Sequence, residues 1–176
     1  VSTKAVNRMR IFISTGSNLG DRAANLARAA RIIDCEAGRI TNRSSVYKTL
    51  PWGFTAATCF LNQVLEIRTT LLPGQLLGKL QEIEQLMGRA RPEGLIGYQS
   101  RVIDLDILFY GNLVLNEPHL TIPHPRIPLR RFVLEPMNEI APHYRHPVLL
   151  KTMEELNRHC TDEDQPVPIQ NEPVTR

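Results

Sequence analysis

The run Arg101-Val-Ile-Asp104-Leu-Asp106-Ile-Leu-Phe-Tyr110 carries two carboxylates one residue apart and contains neither Gly nor Pro. Its aliphatic, β-branched and aromatic content predicts a strand. Side chains alternate along a strand, so Asp104 and Asp106 share one face, while Ile103, Leu105, Ile107 and Phe109 are expected on the other. Neighbouring carboxylates repel, and one tends to hold its proton unless positive charge lies between them. Mg²⁺ is a natural remedy, because it binds hard oxygens and takes one or two carboxylates alongside phosphate oxygens. A solvated strand face on which two Asp happen to alternate is the plainer reading. Around this strand Arg89, Arg91 and Arg101 bracket a long loop, and His124, Arg126, Arg130 and Arg131 arrive soon after it. Guanidinium forks match phosphate oxygens and stay charged at any working pH. Two carboxylates for metal with several Arg for phosphates make the inventory of phosphoryl transfer. Taken singly, each Arg reads better as a solvated charge, and His124 between Pro123 and Pro125 can serve merely as a cap of backbone groups.

Other elements must hold these groups. Met9–Thr15 predicts a first strand, Gly16–Gly20 a turn, and Asp21 an N-cap for a helix whose apolar residues recur from Ala24 to Ala37 before Gly38 closes it. Arg39–Lys48 alternates as a second strand, followed by a loop from Thr49 to Thr58. In a third strand, Phe60–Ile67, Phe60, Asn62, Val64 and Glu66 share one face. Pro73 opens a second helix that ends at Gly88. The basic loop Arg89–Ser100 leads to the strand with the two carboxylates. Beyond lie a short strand at Leu113–Leu115, a proline-rich stretch at Leu120–Arg126, and short helices at Arg130–Glu139 and Glu154–His159. This order is the split βαβ pattern of a ferredoxin-like α+β fold, with two crossover helices on one face of an antiparallel sheet. A small doubly wound sheet also fits the helix–strand alternation. The second and third strands are joined by a loop alone, which favours antiparallel pairing.

Composition bounds the rest. The 176 residues fit a single domain over 1–176, with residues 1–8 and 161–176 expected to be loosely ordered. Net charge is +3, too mild to argue for nucleic acid by itself, yet suited to an anionic small ligand if the charges gather in one cleft. No apolar run approaches the roughly 18 residues that span a bilayer. Residues 1–8 lack the apolar core of a secretory leader, and three scattered Cys suit a reducing cytoplasm better than a disulfide framework.

Six segments in chain order bring these residues to a family: Gly16-Ser-Asn-Leu-Gly-Asp21, Tyr47-Lys-Thr-Leu-Pro-Trp-Gly53, Phe60-Leu-Asn62, Gly88-Arg-Ala-Arg91, Arg101-Val-Ile-Asp-Leu-Asp-Ile107 and Ile122-Pro-His-Pro-Arg126. Over roughly Met9 to Pro147 the chain resembles the 6-hydroxymethyl-7,8-dihydropterin pyrophosphokinases of folate biosynthesis. The resemblance implies a ferredoxin-like βαββαβ core in an αβα sandwich, with a C-terminal hairpin and helical extension. It implies pyrophosphate transfer from ATP to the pterin hydroxymethyl group, releasing AMP. Asp104 and Asp106 are then the ligands of two Mg²⁺ ions, and Arg89 and Arg101 engage the transferring phosphates. Gln81, Glu84, Arg91, His124 and Arg130 become ATP contacts, with Ile107, Leu120 and Thr121 around adenine. Thr49, Trp52, Asn62 and Tyr98 become pterin contacts, with the ring stacked between Phe60 and Phe132. No side chain must act as general base, since phosphoryl transfer is mostly positioning and charge stabilisation; Asp104 is the candidate. The partners implied are the two small substrates, for a cytoplasmic monomer that needs neither membrane nor nucleic acid. Where the family carries an aromatic-Gly/Ala-Pro-Arg run, this chain has Tyr98-Gln-Ser-Arg101, and His119 stands where some members have Arg. Two rivals are a metal-dependent nucleotide-sugar transferase using Asp-x-Asp and a ferredoxin-like RNA-binding module. The first normally needs a larger nucleotide domain; the second needs aromatics where the central strand here bears Asp.

Overall fold

The computed structural model describes residues 9–52, 58–88 and 101–169. Arg89, Arg91 and Tyr98 therefore lie outside the described residues.

Strand β1, Ile11–Ser17, is buried along its whole length. It carries Gly16 and Ser17 inside the strand, two residues further than the turn expected there. Asp21 then caps α1, Arg22–Ile32, by accepting the Ala24 N–H at 3.0 Å. The helix widens into a π turn over Ile33–Ala37 and stops at Gly38. A Cβ on Gly38 would stand 2.6 Å from the Arg68 carbonyl oxygen, so the chain can pass there only as glycine.

The expected second strand is two pieces, β2 at Arg39–Arg43 and β3 at Tyr47–Thr49. Both pair antiparallel with β4, Phe60–Arg68. Ser44 sits at the break, and its hydroxyl accepts the Val64 N–H while its own N–H donates to the Val64 carbonyl. Ladder bonds are thus replaced rather than lost. Helix α2, Pro73–Leu86, starts with Pro at its favoured position and buries Leu76, Leu80 and Ile83.

Strand β5, Asp104–Tyr110, forms one edge of the sheet beside β1. A two-stranded hairpin follows, β6 at Leu115–Glu117 and β7 at Leu120–Ile122, two residues later than the strand expected from Leu113. A 3-10 turn at Ile127–Leu129 leads into α3, Arg131–Ile140, and then α4, Met153–Arg158. Residues 161–169 are not loose: β8, Val167–Pro168, adds to the far edge of the sheet against β3. The sheet order is β5-β1-β4-β3-β8, with β2 also on β4, and each described pairing is antiparallel.

Two apolar cores cover the two faces. Ile11, Ile13, Leu65 and Ile67 pack with Leu26, Ile33, Leu80 and Ile83 of α1, the π turn and α2. Phe12, Val64 and Phe109 pack with Val133, Leu134, Met137 and Leu156 of α3 and α4. Phe109 is therefore on the face opposite to the one strict alternation predicts. A register shift between Phe12 and Ile13 pairs them with Phe109 and Ile107, so Leu108 is the extra residue. Such a bulge flips every side chain beyond it. Asp104 and Asp106, before the bulge, keep their expected face.

Candidate active site

Helix α3 begins only at Arg131, so it covers the Phe12 end of its sheet face and leaves the other end open. There β1, β4 and β5 form the floor of a half-open cleft. Register sets the floor: Gly16 lies between Asn62 and Asp104, and Ser14 between Val64 and Asp106. Lining it are Thr49 at the end of β3, Leu50 and Trp52 after it, Phe60 and Asn62 of β4, Arg101, Asp104 and Asp106 at β5, and Arg130 and Phe132 at the start of α3.

The polar floor is built tightly. The Asn62 amide donates to the Thr49 hydroxyl at 2.7 Å, both side chains buried. Gly16 makes room for that amide, since a Cβ there would lie 2.7 Å from Asn62 Oδ1. Phe60 and Phe132 give the same cleft two aromatic walls.

The charged part lies beside it. Arg101 donates to Asp104 Oδ2 at 2.5 Å, and Arg130 approaches Asp106 Oδ2 at 3.9 Å. Asn18 fixes the backbone of Arg101 from both sides: its Oδ1 accepts the Arg101 N–H, and its own N–H donates to the Arg101 carbonyl. Arg130 is 6 % exposed, with its guanidinium 4.9 Å from the centroid of the Trp52 ring and 5.3 Å from that of Phe132. Burial lowers the Arg130 pKa, against which Asp106 and Asp104 raise it. Burial, and next the charge of Asp104, push the Asp106 carboxyl up to about 6, Arg130 opposing. Its side chain still exposes 39 % of its surface, so water softens this effect. A site that raises a carboxylate this way favours an arriving cation. Among the described residues no third His, Cys, Asp or Glu joins the pair to complete a protein-only metal cage. A pair of hard oxygens with room for ligand and water oxygens suits Mg²⁺.

Of the residues expected around ATP, Arg130 lines the cleft and Arg91 lies outside the described residues, while the others stand at the edge and back of β5. Ile107 is buried in the core on the opposite face from the Asp pair. Glu84 is buried, and its carboxylate accepts the Leu105 N–H at 2.8 Å. Gln81 is half-buried on α2, while Leu120 and Thr121 stand half-buried on β7, which packs beside β5. His124 is tied to β5 through its N–H to the Leu108 carbonyl, and its Nδ1 accepts the Arg126 N–H at 3.1 Å. Burial, then the nearby Arg130, lower its pKa to about 4, so the ring is neutral. With Nδ1 accepting, the proton sits on Nε2 as a donor.

Ser14, Gly16, Asn18 and Leu50 belong to the site although sequence reasoning gave them no role in it. Gly16, Asn18 and Leu50 fall within segments that carried the family resemblance, which was the available signal. Ser14 had none, because its place depends on strand register.

Comparison with known proteins agrees with this geometry. Residues 12–142 match the family model for 7,8-dihydro-6-hydroxymethylpterin-pyrophosphokinase. The chain is 38 % identical over 138 residues to the 2-amino-4-hydroxy-6-hydroxymethyldihydropteridine pyrophosphokinase of Porphyromonas gingivalis, covering 78 % of this chain and 93 % of that one. It is 36 % identical to the enzyme of the same name from Aquifex aeolicus, covering 86 % and 92 %. It also matches the folic acid synthesis protein fol1 of Pneumocystis carinii at 37 % identity, but spans only 20 % of that longer chain. Among solved structures, an HPPK-DHPS in complex with substrates shares the fold with a TM-score of 0.70 at 16 % identity, over 86 % of this chain and 43 % of that one. With a family model spanning most of the sheet and both sides of the cleft, this chain belongs to the 7,8-dihydro-6-hydroxymethylpterin-pyrophosphokinase family, the ATP-dependent transferases of pyrophosphate to hydroxymethyldihydropterin in folate synthesis.

Proposed function

We propose that the cleft over β1, β4 and β5 is where this chain moves pyrophosphate from ATP to 6-hydroxymethyl-7,8-dihydropterin. The single observation that carries the assignment is that the Asp104–Asp106 pair and the Phe60–Phe132 pair open onto one cleft. A planar ring between the two phenyl groups meets the Asn62 amide and the Thr49 hydroxyl along its edge, and its hydroxymethyl arm extends toward the carboxylates. In the reaction the hydroxymethyl oxygen attacks the β-phosphorus of ATP, the bond from that phosphorus to the α,β-bridging oxygen breaks, AMP leaves, and the hydroxyl proton is released.

Asp104 and Asp106 would hold Mg²⁺, two ions in our reading, through their hard carboxylate oxygens. When bound, the metal supplies positive charge to the phosphate oxygens and lowers the pKa of the attacking hydroxyl. Arg101, which is paired with Asp104 in the free protein, would supply its guanidinium to the transferring phosphates. Arg130 stays between Trp52 and Phe132 and adds a buried charge on the phosphate side. Neutral His124 donates from Nε2 to a phosphate oxygen, and Gln81, Leu120 and Thr121 flank the nucleotide at the edge of β5. Arg89, Arg91 and Tyr98 complete the set from the segment between α2 and β5. The strand order and the two helical layers support a ferredoxin-like βαββαβ core in an αβα sandwich. We place the enzyme in the cytoplasm as a monomer; among the described residues no helix is long and apolar enough to cross a membrane.

The test is product analysis. Incubated with ATP, Mg²⁺ and the hydroxymethyl pterin, the protein should release one AMP per pterin diphosphate and no ADP. ADP as the nucleotide product, or AMP formed without pterin, would refute the assignment.

A further inference from the structure

The segment after α4 reaches both walls of the cleft. The family match ends at residue 142, so residues 161–169 lie beyond it. On one side Asp162 Oδ2 accepts the Arg131 N–H at 3.0 Å, and the Asp162 carbonyl accepts from Arg131 Nε at 2.9 Å. Arg131 opens α3 and stands between Arg130 and Phe132, which both line the cleft. On the other side Asp164 Oδ2 accepts the Leu50 N–H at 3.2 Å. Leu50 follows Thr49, the partner of Asn62, and precedes Trp52 by two residues. The two residues are themselves joined, because the Asp164 backbone N–H donates to Asp162 Oδ1 at 3.2 Å. Beyond them Val167 and Pro168 pair with Lys48 and Tyr47, and the Ile169 N–H donates to the Val46 carbonyl.

We propose that Asp162 and Asp164 are positioning residues, forming a strap that sets the separation between the Thr49–Trp52 wall and the Arg130–Phe132 wall and so fixes the fit of the planar substrate ring. The proposal rests on the pterin reading of this cleft. Nothing in the strap lines the cleft itself, so its effect passes through the backbones of Leu50 and Arg131. A planar ring is sensitive to such a spacing, since stacking weakens as soon as one face loses contact. The nucleotide-side residues along β5 and β7 have no hydrogen bond to the strap among those described, and Asp164 holds the Leu50 side rather than Arg130, so loss of the Asp164 bond should bear on the pterin and not on ATP.

The experiment uses Asp164→Ala, Asp164→Ser and Asp164→Asn in the full chain, with Trp52, the single tryptophan, as an internal reporter. Asp164→Ala is expected to raise KM for the pterin about tenfold, the scale of one lost hydrogen bond to a charged group, with kcat within about twofold and ATP affinity unchanged. Trp52 emission of the free variant should shift. Asp164→Asn, which keeps an acceptor oxygen, should restore both values, and Asp164→Ser should fall between. Thermal unfolding of each variant checks that folded protein is compared. A pterin KM within about twofold of the parent in Asp164→Ala, ATP affinity falling in parallel, or unmoved Trp52 emission would each overturn the strap. Failure of the parent chain to turn over pterin would instead count against the pterin reading, and the emission measurement would still decide whether the strap positions the wall.

Discussion

Gly16→Ala is the smallest change that tests how the floor of the cleft is built. The glycine has ordinary strand backbone in β1, outside the positive-φ set, so alanine meets no conformational penalty. On the unfolded chain alone the change would stabilise by about 0.4–1 kcal/mol. The added methyl, however, would stand 2.7 Å from Asn62 Oδ1, and ordinary contact begins at 3.4 Å, so the amide must retreat by about 0.7 Å. That movement stretches the 2.7 Å bond from Asn62 to the Thr49 hydroxyl, buried at 5 % and 3 % exposure. Leaving a buried polar pair poorly bonded costs about 1–3 kcal/mol. The net expectation is a destabilisation of about 1–2 kcal/mol, which for a domain of this size lowers Tm by ~2–8 °C. Pterin affinity should fall by roughly tenfold because Asn62 is displaced, with ATP affinity unaffected. A double-mutant cycle with Asn62→Ala isolates the cause. In the Asn62→Ala background the methyl meets no amide, so Gly16→Ala should be neutral or stabilising. Equal destabilisation by Gly16→Ala in both backgrounds, measured by thermal unfolding, would refute the steric account.

Two further outcomes follow from the charges. Asp106→Asn removes one of two repelling carboxylates, so the metal-free variant should melt at or above the parent at pH 8, and the gap should close as the pH falls through about 6, where the parent carboxyl takes up its proton. Turnover should nevertheless drop on the order of 10²-fold or more, and near-parental activity would remove Asp106 from the metal site. His124 acts with the opposite sign. Its folded pKa of about 4 lies below the unfolded value near 6.5, so the unfolded chain binds the proton first and stability is lost as the pH falls below 6.5. The parent should therefore lose about 2 kcal/mol relative to His124→Asn between pH 8 and pH 5, read from denaturant midpoints at each pH. A constant difference across that range would mean His124 is not held neutral.

The amino-acid pattern by itself determined the order of the main elements and most of the chemistry. Asp104 and Asp106 share a face because alternation is a property of any strand, and the break after Thr49 and the Pro73 start of α2 follow from local backbone preferences. Phe60 and Asn62 share a face for the same reason. Local rules stop where two strands must agree. The bulge at Leu108, which sends Phe109 to the other core, arises from the pairing of β5 with β1 and leaves no mark on residues 104–110 alone. The split of the second strand at Ser44 depends on a hydroxyl finding the Val64 N–H across the ladder. Gly16 looked like a turn residue because its function is steric: only the tertiary structure brings Asn62, forty-six residues away, against its missing Cβ. The stretch 161–169 shows the same limit most clearly. Its prolines and polar residues lack an apolar pattern, so loose ordering is the local expectation. What orders it is a set of partners offered by distant elements, the open edge of β3 and the first N–H groups after Thr49 and Arg130. Hydrogen-bonding needs of that kind exist only once the sheet and α3 have already been assembled.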